Sequence, residues 1–303
     1  MQNEKMSGIL ITLAGAICWG ISGCFGQYLF QETEIYAEWL VAVRLLLAGT
    51  LLVSLGFVQQ KREIVQIFRN ADDRKRLVIF SLFGVLACQY TYFAAIQYSN
   101  AGTATVLQSL SCVLILGVLC FREKRAPKRY ESVAIACALI GTVLLSTHGD
   151  FSSMSLSTRA LLFGLGSAVG AVLYNFLAGD MVNRYGIYVV VGFAMLISGV
   201  MMWVIVRPWQ VELAWNGKMI LAILGVVIVG TAVAFSLYLK GVSMVGPLLA
   251  SLLATIEPVV AIVVSFMFLG SNFHAMDFVG FVLILGTVIG LSLKQRQNEK
   301  SAR

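Results

Sequence analysis

Two ionisable residues, Arg44 and Glu257, lie deep within long apolar stretches of the chain. A charge at the centre of a membrane helix costs about 2.5–3.5 kcal/mol on insertion scales, so such residues need a function or a partner. Glu257 lies about eleven residues into its stretch, or ~17 Å at 1.5 Å per residue. It suits a substrate-facing or proton-linked carboxylate, and equally a structural carboxyl. Arg44 lies only ~9 Å from the end of its stretch, where it can anchor the helix or pair with Glu38 or Asp277.

Polar residues recur at helical spacing in two later stretches. Steps of 0, 3, 4 and 7 place one set on a single helix face: Thr105, Gln108, Ser109 and Cys112. The residues 146 positions later form the equivalent face: Ser251, Ala254, Thr255 and Pro258. Such faces line a central cavity, although close packing explains the Ser and Thr residues equally well. Pro258 lacks an amide hydrogen and would free the carbonyl of Ala254, so we predict a hinge there.

Aromatic rings and amides complete the predicted binding site. Small-molecule sites are mostly apolar with a few polar contacts, which suits an amino acid or a small amphipathic solute. The alternative is that Tyr and Trp belong to the belts at the membrane interfaces. The predicted cavity residues are Trp19, Gln89, Tyr92, Thr105, Gln108, Tyr174, Asn175, Phe235, Tyr238, Ser251 and Thr255.

The elements that must position these residues are membrane spans. The chain has 303 residues, of which 59% are hydrophobic and only 12% charged. Runs of roughly 20 apolar residues match a ~30 Å hydrocarbon core. We predict an all-α integral membrane protein with ten transmembrane helices, near residues 7–29, 38–58, 77–98, 102–121, 130–147, 160–178, 187–206, 218–239, 246–269 and 275–293. The first stretch has no clean cleavage site and is interpreted as a retained span.

The basic residues predict the orientation. With the N-terminus in the cytosol, 18 of the 22 Lys and Arg residues face the cytosol, 3 face outward and Arg44 lies within a span. This bias follows the positive-inside rule and places both termini in the cytosol. The net charge of +7 therefore reflects the membrane topology of the chain, and no nucleic-acid partner is predicted. The basic segment 59–76 is either a half-helix on the inner leaflet or a solvated linker.

The chain divides into two units of five spans. They cover residues 6–148 and 157–293, followed by a disordered cytosolic tail at 294–303. Because five spans end on the opposite side from where they begin, the second unit must be inverted relative to the first. Inverted repeats are a recurrent architecture of secondary transporters, with the substrate site near the midplane.

Catalytic signatures are weak. Gly20-Ile-Ser22-Gly23 imitates a serine nucleophile turn. That chemistry requires a histidine base, and His148 and His274 fall at the ends of spans. We interpret the six cysteines as packing residues within the spans. No catalytic residue, metal site, cofactor or ATP-binding motif is predicted.

Three motifs carry a family resemblance: Trp19-Gly20, the Arg44–Gly49 run and Glu257-Pro258. With the ten-span layout, the chain resembles the drug/metabolite transporter (DMT) superfamily, specifically its EamA-type members. Cys112 stands where the first repeat usually carries Pro, and Ser271 where a Glu often ends the ninth span. The resemblance implies a ten-helix transporter with a central cavity, often exporting amino acids or related metabolites.

The expected function is secondary transport by alternating access in the inner or plasma membrane. The partners are a small-molecule substrate and the lipid bilayer. Export of amino acids rests on the resemblance; the alternatives are efflux of drugs or quaternary amines, and uptake of a nucleobase, sugar or vitamin. The driving force is either a proton gradient acting through Glu257 or simple facilitated exit. The oligomeric state is not predicted.

Overall fold

A computed structural model describes residues 2–148, 156–245, 250 and 253–301, and all regular elements within these ranges are helices. The first half contains α1 (Gln2–Glu32), α2 (Ala37–Gln59), α3 (Lys61–Arg69), α4 (Ala71–Ile79), α5 (Ala87–Tyr98), α6 (Ala101–Ser109), α7 (Ser111–Arg122) and α8 (Arg129–Thr147). The second contains α9 (Thr158–Tyr185), α10 (Ile187–Val206), α11 (Gly217–Leu224), α12 (Ala234–Val245), α13 (Ile256–Phe268) and α14 (Ala275–Ser301). Two π-helical segments, Phe80–Leu86 and Gly225–Val233, join α4 to α5 and α11 to α12.

Many of these helices are long and apolar enough to cross a membrane. Among the described residues, seven segments meet this condition: Met6–Glu32, Ala37–Gln59, Ala71–Tyr98, Ala101–Arg122, Thr158–Ala178, Ile187–Gln210 and Gly217–Val242. The other predicted spans fall on α8 and on the shorter apolar helices Ile256–Phe268 and Ala275–Leu291. The chain is therefore an all-helical, multi-pass membrane protein.

Two segments outside the predicted spans are helical. Segment 59–76 forms α3 and the start of α4, with Ile64 and Ile67 buried and the Phe68 ring 4.9 Å from that of Phe193. A solvated linker is thus the wrong alternative for this segment, because its apolar side packs against the bundle. The disorder predicted for the tail is also wrong, since α14 continues as a helix to Ser301.

The helices pack mainly as pairs between the two halves. α2 lies against α10, α1 against α12, α5 against α9, and α8 against α14. Small residues permit the closest of these contacts: a Cβ added at Gly49 would lie 2.5 Å from the backbone nitrogen of Leu196. Close backbone approach through small residues stabilises helix pairs in lipid, where burial of apolar surface provides little driving force.

Local conformations recur about 146 residues apart. The π-helical segments occupy nearly equivalent positions, and the helices broken at Leu110 and Thr255 do as well. Lys124 and Gly270, which are 146 positions apart, have left-handed backbones with φ of 50° and 62°. The same spacing relates two acids that cap a helix: Glu131 accepts from the Lys128 N–H over 2.7 Å, and Asp277 accepts from the His274 N–H over 2.8 Å. The two halves therefore share backbone geometry as well as hydropathy.

Candidate functional site

A cavity of about 910 Å³ lies between the two halves of the bundle. Its walls come from the middle of α1, from α2, α5, α9 and α12, and from the broken helices α6, α7 and α13, with further residues from α8, α10 and α14. Ten of the eleven predicted cavity residues line it: Trp19, Gln89, Tyr92, Thr105, Gln108, Tyr174, Asn175, Phe235, Tyr238 and Thr255. The eleventh, Ser251, lies outside the described residues. Arg44, Glu257 and Pro258 also line this cavity.

Arg44 is held at the cavity wall by neutral groups. The residue is 5% exposed, its Nη1 donates to Gln89 Oε1 over 2.7 Å, and its guanidinium lies 4.9 Å from the centre of the Phe93 ring. Its Nε has no hydrogen-bond partner among the described residues. A buried guanidinium that has an amide and a ring for neighbours keeps its full positive charge available to an anionic group in the cavity.

The predicted pairing of Arg44 with Glu38 or Asp277 is wrong. Glu38 instead accepts a 2.8 Å hydrogen bond from the Tyr90 hydroxyl. Asp277 caps α14 and also bonds to His148. Both carboxylates therefore have local partners, which sequence spacing alone did not reveal.

Glu257 is the negative charge of the deep part of the cavity. It is the second residue of α13, and its side chain is half-buried. Among the described residues, no group forms a salt bridge with Glu257 or donates a hydrogen bond to it, although it interacts electrostatically with Arg44. Gly20 keeps α1 close to it, because a Cβ there would lie 2.7 Å from the carbonyl oxygen of Glu257. The cavity thus contains two opposite charges that do not neutralise each other by direct contact.

Aromatic rings form the wall next to Glu257. The Trp19 ring lies 5.2 Å from that of Phe235 and 4.9 Å from that of Tyr238. These residues come from α1 and α12, which pack against each other along much of their length. The edge-to-face and tilted arrangements leave aromatic surface facing the cavity, where it can contact apolar or cationic groups of a ligand.

Several neutral polar groups of the cavity come from α5, α6 and α9. The Tyr92 hydroxyl and Thr105 Oγ1 are 2.9 Å apart, and Gln108 Nε2 approaches Cys88 Sγ at 3.5 Å. Tyr174 packs its ring 5.2 Å from that of Phe80 in the first π-helical segment. Asn175 donates to the Ala171 carbonyl of its own helix over 2.7 Å, so its carbonyl oxygen is the group free to face a ligand.

Both helices that carry the polar faces are interrupted at the cavity. α6 ends at Ser109 and α7 begins at Ser111, while α13 begins at Ile256. Pro258 is the third residue of α13, where its missing N–H would have been unpaired in any case. The break lies at Thr255, beside the Ala254 carbonyl that Pro258 is predicted to free, and the hinge itself stays a prediction.

The cavity opens toward the loop between α7 and α8. Arg125, Lys128 and Glu131 line this mouth, and Arg125 donates to both carboxylate oxygens of Glu131, over 2.7 and 3.1 Å. In the sequence these basic residues indicate only membrane topology. Their position at the mouth depends on the conformation of the loop before α8, and the sequence does not predict that conformation.

The two histidines lie apart from this cavity. His148 ends α8, bonds to Asp277, and packs its ring 4.5 Å from that of His274. Ser22, the residue in the imitation of a nucleophile turn, lines the cavity with a buried hydroxyl that has no partner among the described residues. No described histidine is therefore placed to act as a base for it.

Comparison with known proteins gives a consistent result. A model of the EamA-like transporter family matches residues 6–147 and 158–293. YicL, an uncharacterized inner membrane transporter of Salmonella typhimurium, is 37% identical over 301 residues, covering 99% of this chain and 100% of the relative. YwfM, an uncharacterized transporter of Bacillus subtilis, is 22% identical and covers 96% of this chain and 95% of the relative. A protein of known crystal structure superposes with a TM-score of 0.62 at 18% identity, covering 97% and 99% of the two chains, which shows a shared fold.

Proposed function

Because the chain belongs to the EamA-like transporter family, we propose that it is a secondary transporter that exports amino acids or related zwitterionic metabolites. The substrate occupies the 910 Å³ cavity, and transport proceeds by alternating access. This volume suits a small metabolite, since ligand sites are typically about 300–1,000 Å³.

The observation that carries the proposal is the pair of uncompensated charges at the cavity. The Arg44 guanidinium, whose hydrogen-bond partner among the described residues is the neutral amide of Gln89, can bind a carboxylate, and Glu257 can bind an ammonium group. Other buried acids already have partners: Asp73 accepts from Arg184 and Tyr185, and Glu131 from Arg125. Because unpaired charges in a membrane protein are costly, the pair at the cavity is best explained by a ligand that carries both complementary charges.

The proposed architecture is ten spans arranged as two inverted five-span repeats. The paired π-helical segments, the two broken helices and the two acid caps support it, since each recurs about 146 residues later. An odd number of spans per repeat inverts the second copy. The distribution of basic residues supports a cytosolic location for the Arg125 mouth and for both termini.

Glu257 also provides a route for proton coupling. A carboxyl that faces the cavity can bind a proton in one conformation and an ammonium group in the other. The alternative is simple facilitated exit, in which Glu257 only binds the substrate.

Efflux of quaternary amines is a second candidate. Trp19, Phe235 and Tyr238 beside Glu257 form the kind of aromatic and acidic surface that binds such cations. Arg44 at the same cavity disfavours a solute with only a positive charge, because it would repel that solute.

Counterflow in proteoliposomes tests the proposal. Vesicles are loaded with one unlabelled solute and supplied outside with its labelled form, using amino acids, their decarboxylated amines, their amides and quaternary amines. We expect accumulation for zwitterions, and weak or no accumulation for matched amines that lack the carboxylate. Accumulation of amines in preference to zwitterions would support the second candidate. Absence of counterflow with the whole panel would contradict the proposed substrate class.

A further inference from the structure

Beyond the deep end of the cavity, a buried ring of hydrogen bonds joins α1 to the end of α13. Gln27 Nε2 donates to Ser271 Oγ over 2.9 Å, and Ser265 Oγ donates to Gln27 Oε1 over 2.6 Å. The two serine hydroxyls are 2.6 Å apart. Because the Ser265 hydrogen goes to Gln27, Ser271 must donate to Ser265, and the ring closes with both hydroxyl hydrogens used.

The ring is also attached to α6. Gln27 Oε1 accepts a second hydrogen bond, over 2.8 Å, from the backbone N–H of Ala101. Since a backbone N–H can only donate, this contact fixes which end of the Gln27 amide is the oxygen. Gln27, Ser265 and Ser271 are 1%, 0% and 8% exposed, so the polar groups of the ring depend on one another rather than on water.

The ring lies one helical turn beyond the cavity. Gly23 and Thr105 line the cavity. Gln27 lies four residues after Gly23 in α1, and Ala101 lies four residues before Thr105 in α6, a distance of ~6 Å along each helix. Close packing fills the space around it: a Cβ at Gly102 would lie 3.0 Å from the Cα of Ile262. The cavity is thus closed at this end and open at the Arg125 mouth.

The closed end and the open mouth use corresponding segments. Ser271 lies 146 positions after Arg125, and each precedes the acid that caps the next helix. In an inverted repeat, corresponding segments lie at opposite ends of the bundle, and alternating access opens one while it closes the other.

We propose that Gln27, Ser265 and Ser271 form the outer gate of the protein. This inference rests on the proposed transport function. The intact ring holds α1, α6 and α13 together and keeps the cavity open only to the inner side. The gate opens when α1 separates from α13, and water then replaces the hydrogen bonds of the ring.

The substitution Gln27→Leu tests the gate, because it keeps a similar volume but removes every bond to the ring. Gln31→Leu is the matched control: Gln31 is an exposed residue one turn further along α1, with a single long contact of 3.5 Å to the Leu269 carbonyl. The probe is Ser109→Cys, a cavity position, in a chain whose six native cysteines are replaced by Ala. A membrane-impermeant maleimide is added to the outer face of intact cells. Losing buried hydrogen bonds should increase outer labelling about tenfold for Gln27→Leu, with no increase for Gln31→Leu.

A milder variant covers the case in which Gln27→Leu does not fold. Ser265→Ala removes one donor of the ring with little change in volume and should raise outer labelling about threefold. Unchanged labelling in a folded Gln27→Leu or Ser265→Ala protein overturns the gate, as does an equal rise in Gln31→Leu. Labelling does not require a known substrate. Increased labelling of Gln27→Leu together with failed counterflow therefore refutes only the proposed substrate class. Unchanged labelling together with successful counterflow refutes only the gate.

Discussion

The two interrupted helices of the cavity differ in sequence more than in backbone. One is broken at Leu110 without a proline, and the other at Thr255 with Pro258 three residues later. At the first break the Leu110 N–H bonds to the Leu107 carbonyl over 3.1 Å, a tightened turn that ends α6. The two helices are therefore interrupted at equivalent positions of the shared architecture, and a proline lies close to the interruption in only one of the two halves.

The two halves differ in the charged side chains that they contribute to the cavity. Ser111 follows the first break, and its equivalent 146 positions later is Glu257. Conversely, the equivalent of Arg44 is Val190, a fully buried apolar residue. Each half therefore contributes one charge that the other lacks. A symmetric backbone carries an asymmetric, dipolar site.

The largest expected effect comes from removing the negative charge. Glu257→Gln should lower zwitterion flux at least about tenfold, since a charge-assisted contact contributes about 1.5–3 kcal/mol. If Glu257 couples protons, the pH dependence of the remaining flux should also disappear. Proteoliposome flux at several pH values measures both, with Asp72→Asn, an exposed acid of α4, as the control. An unchanged pH profile would remove Glu257 from coupling, and unchanged flux would remove it from the site.

Changing the shape of the positive charge should have the next largest effect. Arg44→Lys keeps the charge but loses the planar fork that contacts Gln89 and stacks on Phe93. We expect KM for a zwitterion to rise about tenfold, with a smaller change in maximal rate. Arg207→Lys, an exposed position away from the cavity, is the control. Equal KM values for the two variants would exclude Arg44 as the carboxylate site.

Pro258→Ala sharpens the comparison of the two breaks. Because Pro258 lies in the first turn of α13, an alanine there gains no obligatory hydrogen bond. Thermal stability in detergent should change by less than about 1 kcal/mol, and flux should stay within about twofold of the wild type. A loss of flux comparable to that of Glu257→Gln would instead support the hinge at Pro258 that the sequence predicts.

The last comparison is between two equivalent tyrosines. Tyr92→Phe removes the 2.9 Å hydrogen bond to Thr105 and should cost about 1 kcal/mol of stability. Tyr238 stands 146 positions later, and among the described residues its hydroxyl has no hydrogen-bond partner. Tyr238→Phe should therefore be nearly neutral in the same thermal measurement. Equal costs would mean that the Tyr92 bond does not contribute to stability.

The sequence predicted the helical class and many of the polar and aromatic residues of the cavity wall. Hydropathy locates the apolar helices because lipid requires them, and steps of three and four place Thr105 and Gln108 on one face. The π-helical segments carry no comparable pattern. Their apolar residues, such as Phe80–Leu86, fit an ordinary helix equally well.

Tertiary contacts account for the rest. Gln27 is one polar residue in a long apolar helix, and nothing in the sequence pairs it with Ser271, 244 positions away. Arg125 indicates only topology in the sequence, because a charge in a loop shows which side of the membrane the loop occupies and not which cavity it lines. The partner of Arg44 is equally hidden in the sequence, since Gln89 comes from a different span.

The most direct test of the inverted arrangement uses Lys128 and His274, the exposed, equivalent residues that precede the two acid caps. Each is changed to Cys in turn, in the chain without native cysteines, and treated with an impermeant maleimide from one side of the membrane. The account predicts that the label reaches Lys128→Cys only from the cytosolic face and His274→Cys only from the outer face. Labelling of both from the same face would contradict it.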